Sequence, residues 1–526
     1  MTTARLELHA DRWLTTSWFL LLCVVVGFFA NNWNVPLFDL DEGAFSEATR
    51  EMLASGNFSA TYLNGEPRYD KPILVYWLQA LSVTCFGNNE FAYRLPSALA
   101  ATAWAWAIFT FAREILNVEK AKIAVLIFTT SLIVTIIGRA ATADALLNLV
   151  LSLTLLDIYR YLKSSDRKIL YRIYFWMALG VLTKGPVAIF FPLLISLIYC
   201  LINGAGRVWL QAVLFYRGWL VLLAVILPWC VAVWFEQGGA FFMHFLGVHN
   251  IGRFAGTMHG HGGNPFYYLA ILPVILLPYT GLCWQLFVRF RAIVQEPLSQ
   301  YLAIWFGVVF LFFSVSQTQL PHYLLYGGTP LFILMAHHIQ GLTNRWLALL
   351  PFALFLLLLI ALPWGVSLAL PYTDRAYEHE LLTEAMIKLG TDYKILLLLS
   401  GGLFVYLVWA KNIQLWQKLL LCGFMQSVLL SMVVAPVIAN VVQTPVKKAA
   451  LVARQYDENT VAFEINMPSF SVYLGDITPR REPEPGELAF TRVDKLERLN
   501  RLYPESQQEL LFSEGGIRLI KIREQQ

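Results

Sequence analysis

The sequence predicts an all-α polytopic membrane protein with short outer helices and a small α+β domain at its C-terminal end. Of its 526 residues, 57% are hydrophobic and 14% are charged, with a mean hydropathy of +0.57, whereas soluble domains carry roughly 25% charged residues. Apolar runs near the roughly 20 residues that cross a bilayer as a helix recur up to residue 442. Charges return from residue 443 onward. This composition excludes a soluble enzyme and a disordered scaffold, and the net charge of +4 is too small to indicate a nucleic-acid partner.

The apolar runs predict 13 transmembrane helices, several of them shorter than a full bilayer span. They cover residues 13–32, 91–112, 121–138, 143–161, 169–183, 186–203, 214–235, 266–288, 299–316, 323–342, 346–370, 394–411 and 416–440. We interpret the first run as a retained helix, because no small-residue cleavage site follows it cleanly and further spans come after it. The transmembrane bundle is therefore predicted over residues 1–442.

Lysine and arginine in the short connections predict the orientation. If the N-terminus is cytoplasmic, the inner connections hold most of the loop cations, among them Arg113, Lys163, Arg172 and Arg289. Cationic loops stay in the cytoplasm. An odd number of spans then leaves the C-terminal segment outside, which in a bacterium with an inner membrane means the periplasm.

Residues 443–526 predict a small soluble α+β domain. Alternating apolar residues indicate strands over 461–473, 488–493 and 510–522, the last with a Gly-Gly turn at 515–516. Helical spacing appears over 447–456 and 493–503, and a proline-rich loop lies at 479–485.

Two outer segments, residues 33–90 and 236–265, are too polar for lipid and too regular for disordered loops. Both predict short helices that lie at the interface and cover the bundle from outside. Long polar loops of this kind usually carry function.

These outer segments and helix ends supply the groups that a lipid-phosphate substrate would need. A phosphate at the membrane surface calls for cations, and an attacking group calls for a carboxylate. The cations at outer helix ends are Lys71, Arg139 and Lys184, and the carboxylates at the same level are Asp41, Asp70 and Asp144. Charges that meet at one depth of a membrane protein indicate a site, because each is costly there.

Each motif also has a structural interpretation. Asp41 and Glu42 are typical of a helix N-terminus, and Arg139 could pair with Asp144 as an interface anchor. Lys184 precedes Gly185-Pro186 and could mark a hinge with a snorkelling lysine. Asp70 and His249 could bind a divalent cation, although single histidines in polar loops mostly do not.

The motifs, taken in order, resemble the GT-C membrane glycosyltransferases that use polyprenyl-phosphate sugars, in the branch of protein O-mannosyltransferases and lipid A aminoarabinose transferases. The matching segments are Asp41-Glu42 with 47–52, Tyr69-Asp70-Lys71-Pro72, Arg139 with 142–146, 182–186, 249–254, 265–268, and 313–316 with 320–323. They span residues 39–323 in the family's order. The 13-helix layout with an outer C-terminal domain extends the resemblance over most of the chain.

The resemblance implies an inverting transfer of a sugar from undecaprenyl phosphate to a lipid A or glycan acceptor on the periplasmic side. It implies that Asp41 is the catalytic carboxylate with Asp144 as a second catalytic-site carboxylate, and that the donor phosphate is bound by Lys71, Lys184, Arg139, Arg253 and Tyr323. Asp70 and His249 occupy the positions of a metal-binding pair, which makes a divalent metal the one cofactor to expect. No nucleotide-binding motif is present, as expected for this donor.

The chain departs from the aminoarabinose transferases at three positions of the same motifs. It has Ala44 where they carry an arginine, Asp70 where they carry a glutamate, and Gln319 where they carry a lysine. Two cations fewer near the phosphate leave open a protein O-glycosyltransferase or another cell-envelope transferase.

A flippase for a lipid-linked sugar is the alternative from a different class, since it too would need cations for a phosphate. Transporters usually place such groups near the midplane, on broken helices or in repeated halves. Here the charges collect at the outer face and no repeat is evident, which favours the enzyme.

Overall fold

A computed structural model describes residues 13–252 and 264–524, apart from the side chains of Trp13 and residues 249–251. Seven of the described helices are long and apolar enough to cross a membrane. They are Glu90–Ile115, Asp144–Ser164, Tyr216–Val248, Pro297–Val315, Arg345–Tyr372, Thr391–Trp409 and Leu415–Val442. Shorter apolar helices are Ser17–Phe29, Leu74–Phe86 and Val187–Ile202. The prediction of a helical membrane bundle is confirmed, while the count of 13 spans stays a prediction.

The remaining helices belong to the bundle, to its outer cover or to the C-terminal residues. They are Asp41–Ser55, Val118–Thr130, Leu132–Ile137, Arg167–Lys184, Gly206–Val213, Tyr267–Ile275, Thr280–Val288, Phe290–Ile293, Gly328–His338, Ala376–Lys388, Thr444–Ala453, Ser469–Leu474 and Leu496–Leu502. π-Helical turns lie at Val25–Phe29, Met243–Gly252 and Leu430–Val434, and the longest 3₁₀ segment is Pro321–Gly327.

Three predicted spans are each divided by a break. Ser131 has an extended backbone and separates Val118–Thr130 from Leu132–Ile137. Pro278 lies between helices Tyr267–Ile275 and Thr280–Val288. It interrupts the predicted span because proline cannot donate the hydrogen bond that a continuous helix needs. The span predicted over 323–342 begins as 3₁₀ helix and becomes α-helix only from Gly328.

The centre of the bundle is formed by the helices with the most buried surface. Asp144–Ser164 buries 72% of its most apolar window and Glu90–Ile115 buries 56%, against 17% for Thr391–Trp409. Thr391–Trp409 therefore lies at the periphery and presents apolar side chains outward, as a lipid-facing helix does.

Residues 33–90 form helices on one end of the bundle, as predicted. Asp41–Ser55 is almost entirely buried, from Glu42 to Thr49 without a break. A two-residue hairpin pairs Tyr62–Leu63 with Glu66–Pro67, and Leu74–Phe86 follows it. The cover is thus packed structure that holds the residues around Asp41 in fixed places.

The C-terminal residues contain a four-stranded sheet in the order β3-β4-β6-β5. Its strands are β3 (Thr460–Ala462), β4 (Leu488–Arg492), β5 (Gln508–Glu514) and β6 (Ile517–Ile522), after the hairpin strands β1 (Tyr62–Leu63) and β2 (Glu66–Pro67). β3 and β4 are parallel, and β6 is antiparallel to both β4 and β5. Gly515 and Gly516 both have positive φ and connect β5 to β6, as a tight hairpin requires.

The predicted strand over 461–473 is wrong beyond Ala462. Residues Ser469–Leu474 form a helix that begins directly after Pro468, since proline removes a donor from any strand ladder. The strand over 488–493, the hairpin, and the helices within 447–456 and 493–503 are confirmed. The division into two domains at residue 443 stays a prediction.

The C-terminal residues contact the outer cover through polar bonds. The Asp39 carboxylate accepts hydrogen bonds from the Ser469 amide at 2.9 Å and from the Ser469 hydroxyl. The Tyr473 hydroxyl accepts from the Leu37 amide at 2.7 Å, and Lys447 pairs with Glu90. These bonds fix the loop that leads into Asp41.

Candidate active site

A cavity of about 400 Å³ lies where the outer cover meets the bundle. Part of its lining is charged or polar and is called the polar wall, and the rest is apolar and is called the apolar wall. The polar wall includes Asp39, Asp41, Glu42, Arg94, Arg139, Asp144 and His322, and the apolar wall includes Ile136, Ile137, Leu430, Val434 and Ile438. Ile136 and Ile438 are 46% and 47% exposed, so the apolar wall continues onto the outer surface of the bundle.

Asp41 is the first residue of helix Asp41–Ser55, and its exposed side chain lines the cavity. A carboxylate is favoured there by the positive end of the helix dipole. The helix start predicted from Asp41 and Glu42 is confirmed. The two acids nevertheless differ, because Asp41 faces the cavity from an exposed position while Glu42 is buried.

Glu42 holds this end of the site together. Its carboxylate accepts hydrogen bonds from Arg94 at 2.9 and 2.6 Å, from the Phe38 amide at 2.9 Å and from the Ala141 amide at 2.7 Å. Burial by itself would raise the pKa of Glu42, but the Arg94 charge and these bonds hold that pKa below its ordinary value. Glu42 therefore ties the loop before Asp41 to the segment that leads into Asp144.

Asp39 lies beside this pair and is half-buried. Burial raises the pKa of Asp39 to about 7, although the bonds from Ser469 act in the opposite direction. Glu42 nearby adds to the rise. The carboxyl group of Asp39 thus titrates near neutrality, in contrast to that of Glu42.

Asp144 begins helix Asp144–Ser164 and is buried at the cavity wall. Its carboxylate accepts from Lys184 Nζ at 2.5 Å and from the Tyr326 hydroxyl at 3.2 Å, and His322 Nε2 lies 3.8 Å away. In the described part of the chain Asp144 makes no ion pair with Arg139, so the suggested anchor between these two residues is wrong.

Lys184 ends helix Arg167–Lys184 and brings a cation to Asp144. Its Nζ atom lies 5.5 Å from the centre of the Tyr323 ring and 5.4 Å from that of Tyr326, within the range of cation–π attraction. Gly185 follows with a φ of +88° and with Phe245 against its α-carbon. The turn suggested by the sequence exists, and it aims Lys184 inward.

Arg139 lines the cavity but uses its guanidinium to hold backbone. It donates to the carbonyls of Thr135, Val26, Gly27 and Ala30 at 2.7–3.3 Å and to the Ser431 hydroxyl at 2.6 Å. The carbonyls of residues 26–30 end the first apolar helix, so Arg139 satisfies acceptors that would otherwise lack partners. A contact of Arg139 with a donor phosphate stays a prediction.

Lys71 and Asp70 lie beside the cavity rather than in its wall. Lys71 Nζ donates to the Asp70 carbonyl at 3.2 Å, and Arg68 Nη2 lies 3.5 Å from the Asp70 carboxylate. The charge of Lys71 also stabilises the carboxylate of Asp144. Lys71, Lys184 and Asp144 therefore belong to one electrostatic cluster.

The predicted phosphate ligands Tyr323 and Arg253 and the predicted metal ligand His249 remain. Tyr323 is buried next to Lys184. Arg253 and the side chain of His249 lie outside the described residues. The π-helical segment that carries His249 packs near Asp70, because the His244 ring stacks on Tyr69 at 5.0 Å. Pairing of Asp70 with His249 stays a prediction.

Sequence reasoning missed three residues of this site, namely Arg94, His322 and Tyr326. His322 stands in the Leu-Pro-His-Tyr motif and could have been selected from it, since an imidazole beside a predicted phosphate ligand is a plausible site group. Arg94 and Tyr326 lie in apolar helical patterns with no local signal. Their partners, Glu42 and Asp144, are distant in the chain.

Comparison with known proteins gives both sequence and structural relatives. A family model for dolichyl-phosphate-mannose-protein mannosyltransferases matches residues 70–234. An undecaprenyl phosphate-alpha-4-amino-4-deoxy-L-arabinose arabinosyl transferase of Edwardsiella ictaluri is 32% identical over 353 residues, which are 63% of this chain and 62% of that protein. The chain thus spans less than two thirds of that transferase's length.

An uncharacterized protein of Aquifex aeolicus is 30% identical over 326 residues, which are 61% of this chain and 72% of that protein. The crystal structure of ArnT from Cupriavidus metallidurans bound to undecaprenyl phosphate superposes with a TM-score of 0.76 at 19% identity, covering 96% of this chain and 97% of that one. The fold is therefore shared along almost the whole length. The chain belongs to the GT-C membrane glycosyltransferases, in the family-39 branch of protein O-mannosyltransferases and aminoarabinose transferases.

Proposed function

We propose that the chain transfers a sugar, with inversion, from an undecaprenyl-phosphate donor to lipid A, in an aminoarabinose-type reaction. One observation carries the proposal: the cavity joins the carboxylates Asp41 and Asp144 to an apolar wall that is open at Ile136 and Ile438. A polyprenyl-phosphate sugar has the matching halves, because its head is charged and its tail is apolar. The arabinosyl transferase relatives, whose names give this donor, support the same choice.

The donor phosphate is bound by the cations around Asp144. Lys184 supplies the first charge and Lys71 the second, with Tyr323 packed against Lys184. Arg139 contributes positive charge to the wall, and Arg253 is proposed as a further ligand of the donor phosphate. Fixed cations lower the barrier because negative charge grows on the phosphate as the glycosidic bond breaks.

The chemistry is a single displacement at the anomeric carbon. An acceptor oxygen forms the new bond, and the electron pair of the broken carbon–oxygen bond leaves with undecaprenyl phosphate. Asp41 orients the acceptor and takes its proton when the acceptor is a hydroxyl. A phosphate acceptor is already ionised and needs Asp41 for orientation only. Asp144 keeps Lys184 in place.

The proposal includes an orientation and a layout. Thirteen spans place the cavity and residues 443–526 on the periplasmic side of a bacterial inner membrane. The C-terminal domain then supports the loop before Asp41 through Ser469 and Tyr473. Labelling by a membrane-impermeant thiol reagent tests this layout, in a Ser513→Cys variant of a chain whose six native cysteines are replaced. Intact spheroplasts should label as fully as lysed ones.

A divalent metal at Asp70 and His249 is part of the proposal. A carboxylate and an imidazole are both ligands of zinc-type cations. Such a cation would supply one more positive charge beside the donor phosphate. Transfer by the wild type should then depend on a divalent metal, and an Asp70→Asn variant should lose that dependence.

Mass spectrometry of envelope fractions tests the function in cells. Cells that produce the wild type should carry the added sugar on lipid A, and cells that produce Lys71→Ala should lose most of it. The exposed Lys394→Ala serves as the control. Sugar found on periplasmic glycoproteins instead of lipid A would identify a protein as the acceptor. Lipid-linked sugar collecting on one leaflet, with no acceptor modified, would indicate a flippase.

A further inference from the structure

Three potential metal ligands meet at the far end of the bundle. His337 Nε2 lies 3.1 Å from Glu296 Oε2, and the rings of His337 and His338 are 4.6 Å apart. One nitrogen or oxygen atom from each of the three residues lies within 4.8 Å of the other two. The group therefore needs only side-chain adjustment to converge on one ion.

This group is separate from the cavity. Glu296 precedes helix Pro297–Val315, whose other end leads to His322 in the cavity wall. Nineteen residues of helix span about 28 Å. His337 and His338 end helix Gly328–His338, whose first residue follows the 3₁₀ segment next to the cavity. The three residues therefore lie about a membrane thickness away from Asp144.

Two imidazole nitrogens in this group are buried without a hydrogen-bond partner among the described residues. They are His337 Nδ1 and His338 Nε2. Buried polar atoms in proteins almost always have a partner, and an unexplained exception calls for a bound ion or water. His337 faces Glu296 through its other nitrogen, Nε2, so the unpartnered His338 Nε2 is the second observation, independent of the clustering.

We propose that Glu296, His337 and His338 form a binding site for a divalent cation of the zinc type. Two imidazoles and one carboxylate are a zinc ligand set that leaves a fourth position for water. Ligands at about 2.1 Å in a tetrahedron are about 3.4 Å apart, close to the 3.1 Å between His337 and Glu296. The site is independent of the proposed sugar transfer.

Neighbouring residues already fix two of the ligands. The Ser299 hydroxyl donates to Glu296 Oε2 at 2.8 Å, and Lys120 Nζ donates to the His337 carbonyl at 2.9 Å. The Ser299 bond to the carboxylate is of the kind that orients a metal ligand and raises affinity, and the Lys120 bond holds the backbone of His337. The bond from Lys120 goes to the backbone carbonyl, so Lys120 does not occupy the imidazole of His337. A bound ion would fasten the start of Pro297–Val315 to the end of Gly328–His338.

The test measures zinc bound to the purified full chain in detergent. The Asp70→Asn, His249→Ala double variant serves as the starting protein, so that the metal proposed for the active site is removed. After chelation and reloading with Zn²⁺, about one zinc per chain is expected. Adding Glu296→Gln or His338→Ala should weaken zinc binding at least about tenfold, and the exposed His379→Ala should not. Zinc content equal to that of chelated protein, or unchanged by these variants, would overturn the proposal.

X-ray absorption at the zinc edge covers the case in which a ligand variant fails to fold. The zinc-loaded double variant should give the scattering of two imidazoles in the first coordination shell. A spectrum with no imidazole scattering would overturn the site. Neither readout depends on sugar transfer, so failure of the site and failure of the proposed function can be told apart.

Discussion

Lys184 Nζ lies 2.5 Å from the Asp144 carboxylate, and both side chains are about nine-tenths buried. The two residues come from the end of one helix and the start of another, 40 positions apart. A cation is thereby fixed against Asp144, which lines the cavity, before any substrate binds. Preorganised charge of this kind is what a leaving phosphate requires.

Replacing Lys184 by methionine should leave Asp144 as an unpaired buried charge. Breaking a buried pair from one side costs about 3–5 kcal/mol of unfolding free energy, so the thermal midpoint in detergent should fall clearly. Lys388→Met, which also ends a helix but pairs with Glu384 at the surface, is the matched control. Adding Asp144→Asn to Lys184→Met should restore the midpoint without restoring transfer. A midpoint equal to that of the wild type in Lys184→Met would contradict this role.

The Glu42–Arg94 pair should be the main support of the loop before Asp41. Glu42→Gln loses the charge while it keeps the shape, and we expect it to lower the unfolding free energy by about 3 kcal/mol. Limited proteolysis within residues 33–40 should become faster, because the amide NH2 of glutamine replaces one of the two oxygens that accept from the Phe38 and Ala141 amides. Glu384→Gln is the control. Proteolysis at an unchanged rate would show that the loop is held by other contacts.

The raised pKa of Asp39, about 7, gives the protein a pH dependence. The folded state holds the proton more tightly than the unfolded chain, so this stabilisation is complete below about pH 4, the ordinary aspartate pKa. The stabilisation declines between about pH 4 and pH 7, by at most about 1.4 kcal/mol for each pH unit, and it is lost as the pH rises through 7. Thermal unfolding measured at pH 5 and pH 8 should show a smaller difference in Asp39→Asn than in the wild type. The exposed Asp476→Asn should behave like the wild type, and an equal difference in all three proteins would contradict the assignment.

The apolar cavity wall should bind the prenyl tail. Ile438→Ala removes apolar surface worth about 1.4 kcal/mol, which corresponds to about a tenfold higher KM for a long-chain donor. A donor with a short prenyl chain should be used equally well by the variant and the wild type. Ile395→Ala is the control, since Ile395 is 49% exposed on another helix and Ile438 is 47% exposed. Equal KM values for the long donor would place the tail elsewhere.

The sequence predicted the bundle and half of the site because both depend on local signals. Apolar length predicts helices, and charged residues at helix ends identified Asp41, Asp144 and Lys184. The Glu42–Arg94 pair was not predictable, because it joins positions 52 residues apart inside two helices. Arg139 was predicted as a phosphate ligand from its charge alone, whereas its many bonds to backbone carbonyls depend on how the first helix ends. The helix Ser469–Leu474 was predicted as a strand because alternating apolar residues precede and follow Pro468.

Transfer by the reconstituted protein tests the central claim most directly. Wild type, Asp41→Asn and Asp392→Asn would be placed in liposomes with undecaprenyl-phosphate aminoarabinose and lipid A, and the initial rate measured by mass spectrometry. Asp392 is likewise an exposed aspartate in the first turn of a helix. We expect transfer by the wild type and Asp392→Asn. Asp41→Asn should lose at least about 100-fold when the acceptor oxygen is a hydroxyl, whose proton Asp41 takes, and should lose less when it is a phosphate oxygen. Equal rates in all three proteins, or no transfer by the wild type with this donor, would contradict this claim.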